Sequence, residues 1–136
     1  MKKRSPTICP IVFSLDIFGD KWCLVILRDI LLRNKSHFRE LLTSEEKIAS
    51  NILSSKLEIL VNEGLLSRES DPSNKSAGIY QPTKKALDLL PMIFALMRWG
   101  ITYNPNSDTS GPVMQELMEN PEGLRKRIVK KFDLSS

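Results

Sequence analysis

Residues 51–66, with the sequence NILSSKLEILVNEGLL, contain the feature that most constrains the fold. Successive residues of an α-helix are about 100° apart, so the apolar positions of this segment share roughly one quadrant of a helix. These positions are Leu53, Leu57, Leu60 and Val61. The opposite side has Asn51, Ser55 and Glu58, and Gly64 is well placed to end the helix. The pattern predicts a helix that packs one side into a core and exposes a polar face.

Three shorter helices are predicted before this segment. We expect them at residues 9–18, 21–32 and 37–42, with Asp20 as the N-cap of the second and Ser36 as the N-cap of the third. A polar turn then leads into the amphipathic helix. The sequence therefore predicts two helices joined by a short turn, preceded by further helices.

A β-hairpin is predicted after Gly64. Residues 65–69 and 79–82 are typical of strands, and the turn-rich residues 70–78 between them predict a long tip. A long apolar helix over residues 84–103 follows, capped by Thr83 and bent at Pro91. The fold class is therefore mainly α with a small β-hairpin.

The chain divides into three predicted regions: a basic arm over 1–8, a domain over 9–103, and a linker with a helical extension over 104–136. Asn120 and Pro121 mark a break that separates one or two terminal helices. The basic residues of the last helix are interpreted either as a solvated face or as contacts to flanking DNA.

Composition excludes several classes of protein. The 136 residues are 41% hydrophobic and 26% charged, with a net charge of +4, which is typical of a globular domain and compatible with a nucleic-acid partner. No apolar run reaches the roughly 18 residues that cross a bilayer, so we expect a cytoplasmic protein without membrane contact. Two cysteines and one histidine provide no metal-ligand spacing, and we expect no cofactor or metal.

An enzyme would need a nucleophile and a base held together by an orienting group. Cys9 and His37 are the only candidate pair, and no third residue stands at a recognisable spacing. The sequence therefore predicts a protein that is not an enzyme.

The order of helices followed by a hairpin predicts a winged helix-turn-helix, in which the second helix of the pair enters the major groove of DNA. The amide of Asn51 suits adenine, and short serines allow close approach to bases or phosphates. The candidate DNA-binding residues are Ser50, Asn51, Ser54, Ser55, His37, Arg39, Arg68 and Lys75. The alternative is a winged-helix module for protein–protein interaction without specific DNA readout.

Six ordered segments resemble HxlR-type transcriptional regulators: CPIVFSLDIFGDKWCLVILRDIL, HFREL, ILSSKLEIL, EGLLSR, YQPTKKALDLLP and MRWG. The resemblance implies a homodimer that binds palindromic double-stranded operator DNA. Ala49, Pro82 and Ala86 depart from the family pattern. We therefore expect Ser50 or the preceding turn to cap the amphipathic helix, and the second wing strand to be short or at an edge.

Two further expectations concern partners and signals. The long helix and the first helix carry more apolar surface than three small helices and a hairpin can cover, including Phe13, Phe94 and Trp99, which favours a homodimer over a larger monomeric core. Cys9 occupies a position where some proteins similar to this family sense oxidants or electrophiles. A small-molecule or oxidant effector is one hypothesis, and a buried apolar Cys9 is the other. We expect Cys23 to lie in the core.

Overall fold

A computed structural model describes residues 7–133, apart from the side chains of Lys75 and Ser76. The chain divides into two compact units, with the boundary between Gln81 and Pro82. The elements that lead to this boundary are α1 (Pro10–Phe18), α2 (Lys21–Leu32), α3 (Phe38–Leu41), α4 (Ser50–Asn62), β1 (Leu66–Asp71) and β2 (Asn74–Pro82). The two strands pair with each other in a hairpin. This order confirms the predicted winged helix-turn-helix architecture.

The core of the first unit forms where α4 packs on α2. Leu53, Leu57 and Leu60 are 0%, 1% and 0% exposed, and Leu27 of α2 is 0% exposed. Each buried leucine contributes about 2 kcal/mol relative to an exposed one. The predicted apolar stripe is therefore the face that α4 buries, and its opposite face is left outward.

Asp20 caps α2 and also contacts α4. Its Oδ1 accepts hydrogen bonds from the backbone N–H groups of Trp22 and Cys23 at 2.7 and 3.3 Å, which confirms the predicted cap. Its Oδ2 lies 3.1 Å from the Nζ of Lys56 on α4. Burial alone raises the pKa of Asp20, but the hydrogen bonds from Lys56 and Trp22 outweigh it and hold the pKa below its usual value.

A buried ion-pair network joins α2 to the turn before α4. Asp29 is 1% exposed and accepts two hydrogen bonds from the neighbouring Arg28 guanidinium, at 3.0 and 2.8 Å. The same guanidinium donates two hydrogen bonds of 2.8 Å to Glu46, and this pairing lowers the pKa of Glu46 to about 2. The turn that positions α4 is therefore tied to the core.

The cap of α3 differs from the prediction. His37, rather than Ser36, is the N-cap residue. The Glu40 carboxylate reaches back and accepts hydrogen bonds from the backbone N–H groups of Ser36 and His37 at 3.1 and 3.0 Å. These backbone hydrogen bonds lower the pKa of Glu40 to about 2. The predicted cap is thus one residue too early in the sequence. The interaction that fixes the start of α3 comes from Glu40 inside the helix, not from the Ser36 side chain.

The predicted long hairpin tip is wrong, and of the two expectations for the second wing strand the edge position is correct and the short length is not. β1 continues to Asp71 and β2 starts at Asn74, so two residues make the turn, and β2 runs to Pro82. The Oδ1 atom of Asp71 accepts hydrogen bonds from the backbone N–H and the hydroxyl of Ser73, at 2.9 and 2.8 Å. Because this tight turn closes the hairpin, residues 74–78, which were predicted to be loop, pair as part of β2. Pro82 is tolerated because it is the last residue of an edge strand.

The second unit contains α5 (Lys84–Leu87), α6 (Leu90–Tyr103), α7 (Pro112–Glu119) and α8 (Pro121–Asp133). The single helix predicted over 84–103 is therefore two helices. Pro91 does not bend a continuous helix. It lies in the first turn of α6, where its missing N–H costs nothing.

Helices α7 and α8 pack together, and α8 contacts α6. Leu117 and Leu124 are each 0% exposed, and Arg98 donates a 3.3 Å hydrogen bond to the carbonyl of Leu117. Phe94, expected on an outer surface, is buried instead. No helix among the described residues is long and apolar enough to cross a membrane.

The N-terminus of α4 has no side-chain cap. Ala49 is the N-cap residue, with φ −71° and ψ 147°, and Ser50 is already the first residue of the helix. The expected capping role of Ser50 or the turn is therefore not seen in this described part of the chain. A serine at position 49 has the backbone conformation that a capping side chain requires.

We predict that Ala49→Ser stabilises the protein by about 1 kcal/mol, because its hydroxyl accepts a hydrogen bond from a free backbone N–H of the first turn of α4. The free energy of unfolding from urea denaturation, followed by circular dichroism, measures this. Ala95→Ser, at an exposed position inside α6, is the matched control and is expected to be slightly destabilising. Equal effects of the two variants would contradict the prediction.

Candidate nucleic-acid interface

The outer face of α4 borders a groove in the first unit. The groove has a volume of about 690 Å³ and lies between α3, α4 and the hairpin. Ser54, Glu58 and Asn62 line its α4 side at intervals of four residues, as expected for one stripe of a helix. All three are exposed, in contrast to the leucines on the other side of the helix.

The predicted site residues fall into three groups. His37, Arg39, Ser54 and Arg68 line the groove together. A second group, on the first turns of α4, is exposed without lining the groove: Ser50, Asn51 and Ser55. The third is Lys75, whose side chain lies outside the described residues. Four of the predicted residues thus lie together in the groove, and the N-terminus of α4 forms a separate exposed surface.

His37 links α3 to the hairpin. Its Nδ1 lies 3.0 Å from a carboxylate oxygen of Glu40, and its Nε2 lies 3.7 Å from the Oδ2 of Asp71 on β1. The backbone of His37 also forms a bridge with Ile79, and the N–H of Tyr80 donates a 2.7 Å hydrogen bond to the carbonyl of Ser36. The hairpin is therefore held at a fixed distance from α3.

Arg68 extends from β1 toward β2. Its Nε donates a hydrogen bond of 3.3 Å to the phenolic oxygen of Tyr80, which is 8% exposed. Guanidinium groups are suited to phosphate because their donors form a planar fork. Arg68 therefore places this group at the groove wall.

The charges of the groove are mixed. Arg39 and Arg68 are cationic, whereas Glu58 and Asp71 are acidic. Hydrogen bonds from the backbone and hydroxyl of Ser73 hold the pKa of Asp71 below its usual value, so Asp71 is anionic near neutral pH. An incoming phosphate is thus favoured beside the guanidinium groups and disfavoured beside these carboxylates.

The groove also has lining residues that the sequence did not indicate as site residues, among them Glu58, Asn62, Tyr80 and Gly78. The first two follow Ser54 at helical spacing, so the helical period could have identified them. Tyr80 and Gly78 depend on the cross-strand register of the hairpin. That register could not be read from a segment predicted to be a loop.

The two cysteines lie in different environments. Cys9 is the N-cap residue of α1 and is partly exposed. Cys23 is 1% exposed, and burial raises the pKa of its thiol to about 11. Cys23 is therefore an unreactive core residue, as predicted, and Cys9 is the more accessible thiol. Among the described residues, no cluster of three or more His, Cys, Asp or Glu side chains could hold a metal ion.

The helix pair, its exposed second helix and the hairpin that flanks it define a winged helix-turn-helix protein. The chain belongs to the HxlR-like helix-turn-helix family, which it matches over residues 17–108. It is similar to a helix-turn-helix transcriptional regulator, BH0655, of Halalkalibacterium halodurans, with 32% identity over 97 residues that cover 71% of this chain and 86% of the relative. Another such regulator, from Methanothermobacter thermautotrophicus, is 29% identical and covers 76% and 79%.

Solved structures share this fold. PA1607, assigned as a transcription factor, has a TM-score of 0.66 and 31% identity, with 77% of this chain and 72% of that chain covered. The redox regulator HypR in its oxidised form has a TM-score of 0.61 and 26% identity, with 74% and 99% covered. The predicted family and fold are therefore confirmed, and the chain is a DNA-binding transcriptional regulator by class.

Proposed function

We propose that this regulator reads double-stranded operator DNA by inserting the N-terminal half of α4 into the major groove. The observation that carries this proposal is the division of α4 into a buried leucine face and an exposed polar face. Ser50, Asn51, Ser54 and Ser55 are all exposed on its first turns. These side chains are short, so they allow the helix backbone to approach base edges closely.

Base reading and backbone positioning belong to different residues in this proposal. Asn51 is the base reader, because a carboxamide pairs with adenine through two hydrogen bonds. The groove residues Arg39, His37 and Arg68 contact phosphates, as does Lys75 of the hairpin. Phosphate contacts fix the register of the protein on DNA without distinguishing sequences.

We infer that the protein acts as a homodimer through α6. This helix exposes Leu96, Trp99 and Tyr103 at 52%, 68% and 68%, and the rings of Trp99 and Tyr103 are 5.0 Å apart. With the partly exposed Met92, these residues are spaced by four, three and four positions. This is the spacing of a helix–helix seam. A second copy of the chain is the partner that symmetry favours for such a stripe.

Dimerisation explains a palindromic operator. A twofold dimer presents two copies of α4, which suit two half-sites separated by about one helical turn of DNA. The first helix has its own exposed apolar side chains, Ile11 at 69% and Phe13 at 51%, and these are further candidates for burial between copies. A regulator that binds operator DNA in this way acts in the cytoplasm and needs no cofactor.

We also propose that Cys9 makes operator binding responsive to thiol-reactive oxidants or electrophiles. Cys9 is accessible at the start of α1, whereas Cys23 is buried. Oxidants and electrophiles react with the thiols that they can reach, which makes the more accessible Cys9 the candidate sensor. The similarity to HypR, a redox regulator, supports the same function.

For DNA reading, we predict that Asn51→Ala lowers operator affinity by about 10- to 100-fold while leaving affinity for random DNA unchanged. Lys75→Ala is expected to weaken binding to all sequences alike. It is also expected to reduce the slope of log affinity against log salt concentration by about one. Binding-site selection followed by mobility-shift assays at two salt concentrations measures both effects.

Asn106→Ala, exposed between α6 and α7, is the control for Asn51 and is expected to bind like the wild type. A wild-type protein that prefers no sequence over random DNA would contradict specific readout. That result would favour the alternative of a protein–protein interaction module.

For dimerisation, we predict that Trp99→Glu raises the dissociation constant of the dimer at least 100-fold, because it buries a charge in an apolar seam. Analytical ultracentrifugation measures the constant. Met118→Glu, which changes an apolar side chain 54% exposed on α7, is the control and is expected to remain dimeric. A monomeric wild type, or equal constants for the two variants, would refute the interface.

For thiol sensing, we expect diamide or peroxide to change operator affinity of the wild type and of Cys23→Ala, but not of Cys9→Ser. The physical reason is that the reagents can reach the thiol of Cys9, whereas Cys23 is buried. Mobility shifts before and after treatment, with reversal by dithiothreitol, test the response. Oxidant-insensitive binding by the wild type would end this hypothesis.

A further inference from the structure

We propose that Tyr80 and Gly78 are positioning residues that hold the guanidinium of Arg68 ready for a phosphate of the DNA backbone. This inference rests on the proposed function, since it names how one phosphate contact of the same interface is prepared. It concerns two residues that make no direct base contact in the proposed complex. The register of the hairpin brings both residues next to the Arg68 side chain.

Gly78 and Tyr80 are two residues apart on β2, so they point to the same face of the hairpin. Arg68 on β1 crosses to this face and donates from its Nε to the Tyr80 oxygen at 3.3 Å. Tyr80 is 8% exposed, and its own N–H is bound to the Ser36 carbonyl at 2.7 Å. Tyr80 is thus a fixed acceptor whose position is set by the segment before α3.

Gly78 leaves the space that the Arg68 side chain occupies. A Cβ atom at position 78 would lie 2.6 Å from the Nε of Arg68, 3.0 Å from the Tyr80 oxygen and 3.1 Å from the Cζ of Arg68. Real Cβ contacts are essentially never as short as the first distance. A larger residue would therefore push the guanidinium away from Tyr80. Gly78 is needed here for space rather than for an unusual backbone conformation.

This arrangement prepares a phosphate contact. A guanidinium has five N–H donors, and the Nε of Arg68 donates to Tyr80. Fixing Nε fixes the plane of the fork, and a planar fork can bind two phosphate oxygens at once. A flexible arginine loses rotamer freedom when it binds, and a preorganised one has already lost part of it. Arg39 lines the same groove and adds favourable charge.

A double-mutant cycle tests the proposal with the full-length protein and its selected operator. Arg68→Ala is expected to lower affinity about tenfold for all sequences and to reduce the salt slope by about one. Tyr80→Phe removes only the phenolic oxygen and is expected to lower affinity three- to tenfold. In the Arg68→Ala background, Tyr80→Phe is expected to cause no further loss, because the group that it positions is absent.

Gly78→Ala provides an independent arm. It is expected to lower affinity about as much as Arg68→Ala, and to have little effect when Arg68 is already alanine. Thr109→Val deletes a hydroxyl between α6 and α7, outside both proposed interfaces, and is the matched control, expected to bind like the wild type. Thermal melts of every variant establish that the fold is retained under the assay conditions.

Each outcome bears on the proposal. Non-additive losses in the cycle, with a salt slope lowered by Arg68→Ala, support it. Additive losses would show that Tyr80 acts through the stability of the hairpin, and wild-type affinity of Tyr80→Phe and Gly78→Ala would show that Arg68 needs no positioning. Either result overturns the inference. The proposed function still stands in that case, provided that the wild type binds its operator. A wild type that does not bind DNA overturns both.

Discussion

The packing of α4 on α2 is the interaction on which the rest of the first unit depends. Leu53, Leu57 and Leu60 are buried together, so the helix cannot rotate about its axis without exposing them. That restriction fixes the polar face outward. Lys56, which lies between the leucines in sequence, adds a second restraint by pairing with the cap of α2 at Asp20. The orientation and position of α4 thus follow from one buried face and one ion pair.

Polar contacts secure the hairpin and the turn in addition to their buried residues Ile48, Leu66 and Tyr80. Arg28 joins Asp29 to Glu46 and so holds the turn that precedes α4. Ser36 and His37 bind the backbone of the second strand, and this fixes the wing against α3. A buried carboxylate such as Asp29 is stable only when its partners are in place. These contacts therefore keep the geometry between turn, helix and wing constant.

The proposed DNA interface combines two kinds of surface. The first turns of α4 expose small polar side chains for base edges, and the groove beside them concentrates guanidinium and imidazole groups for the backbone. Acidic Glu58 and Asp71 border the same groove and restrict where phosphate can lie. The α6 stripe is the surface proposed for a second copy. The proposals thus place DNA binding and assembly on different helices.

The sequence by itself determined the helices, the buried stripe, the Asp20 cap and the family, because these depend on local periodicity, capping chemistry and ordered motifs. Only the tertiary structure decided the short hairpin turn, the break before α6, the cap at His37 and the union of Arg68, Tyr80 and Gly78. The hairpin and the Arg68 cluster arise from cross-strand pairing between residues distant along the chain, whereas the cap depends on where the Glu40 carboxylate reaches within its own turn. The hydrophobic periodicity of the sequence carries no information about such contacts. The residue propensities of 70–78 favoured a loop, whereas backbone pairing made most of this segment strand.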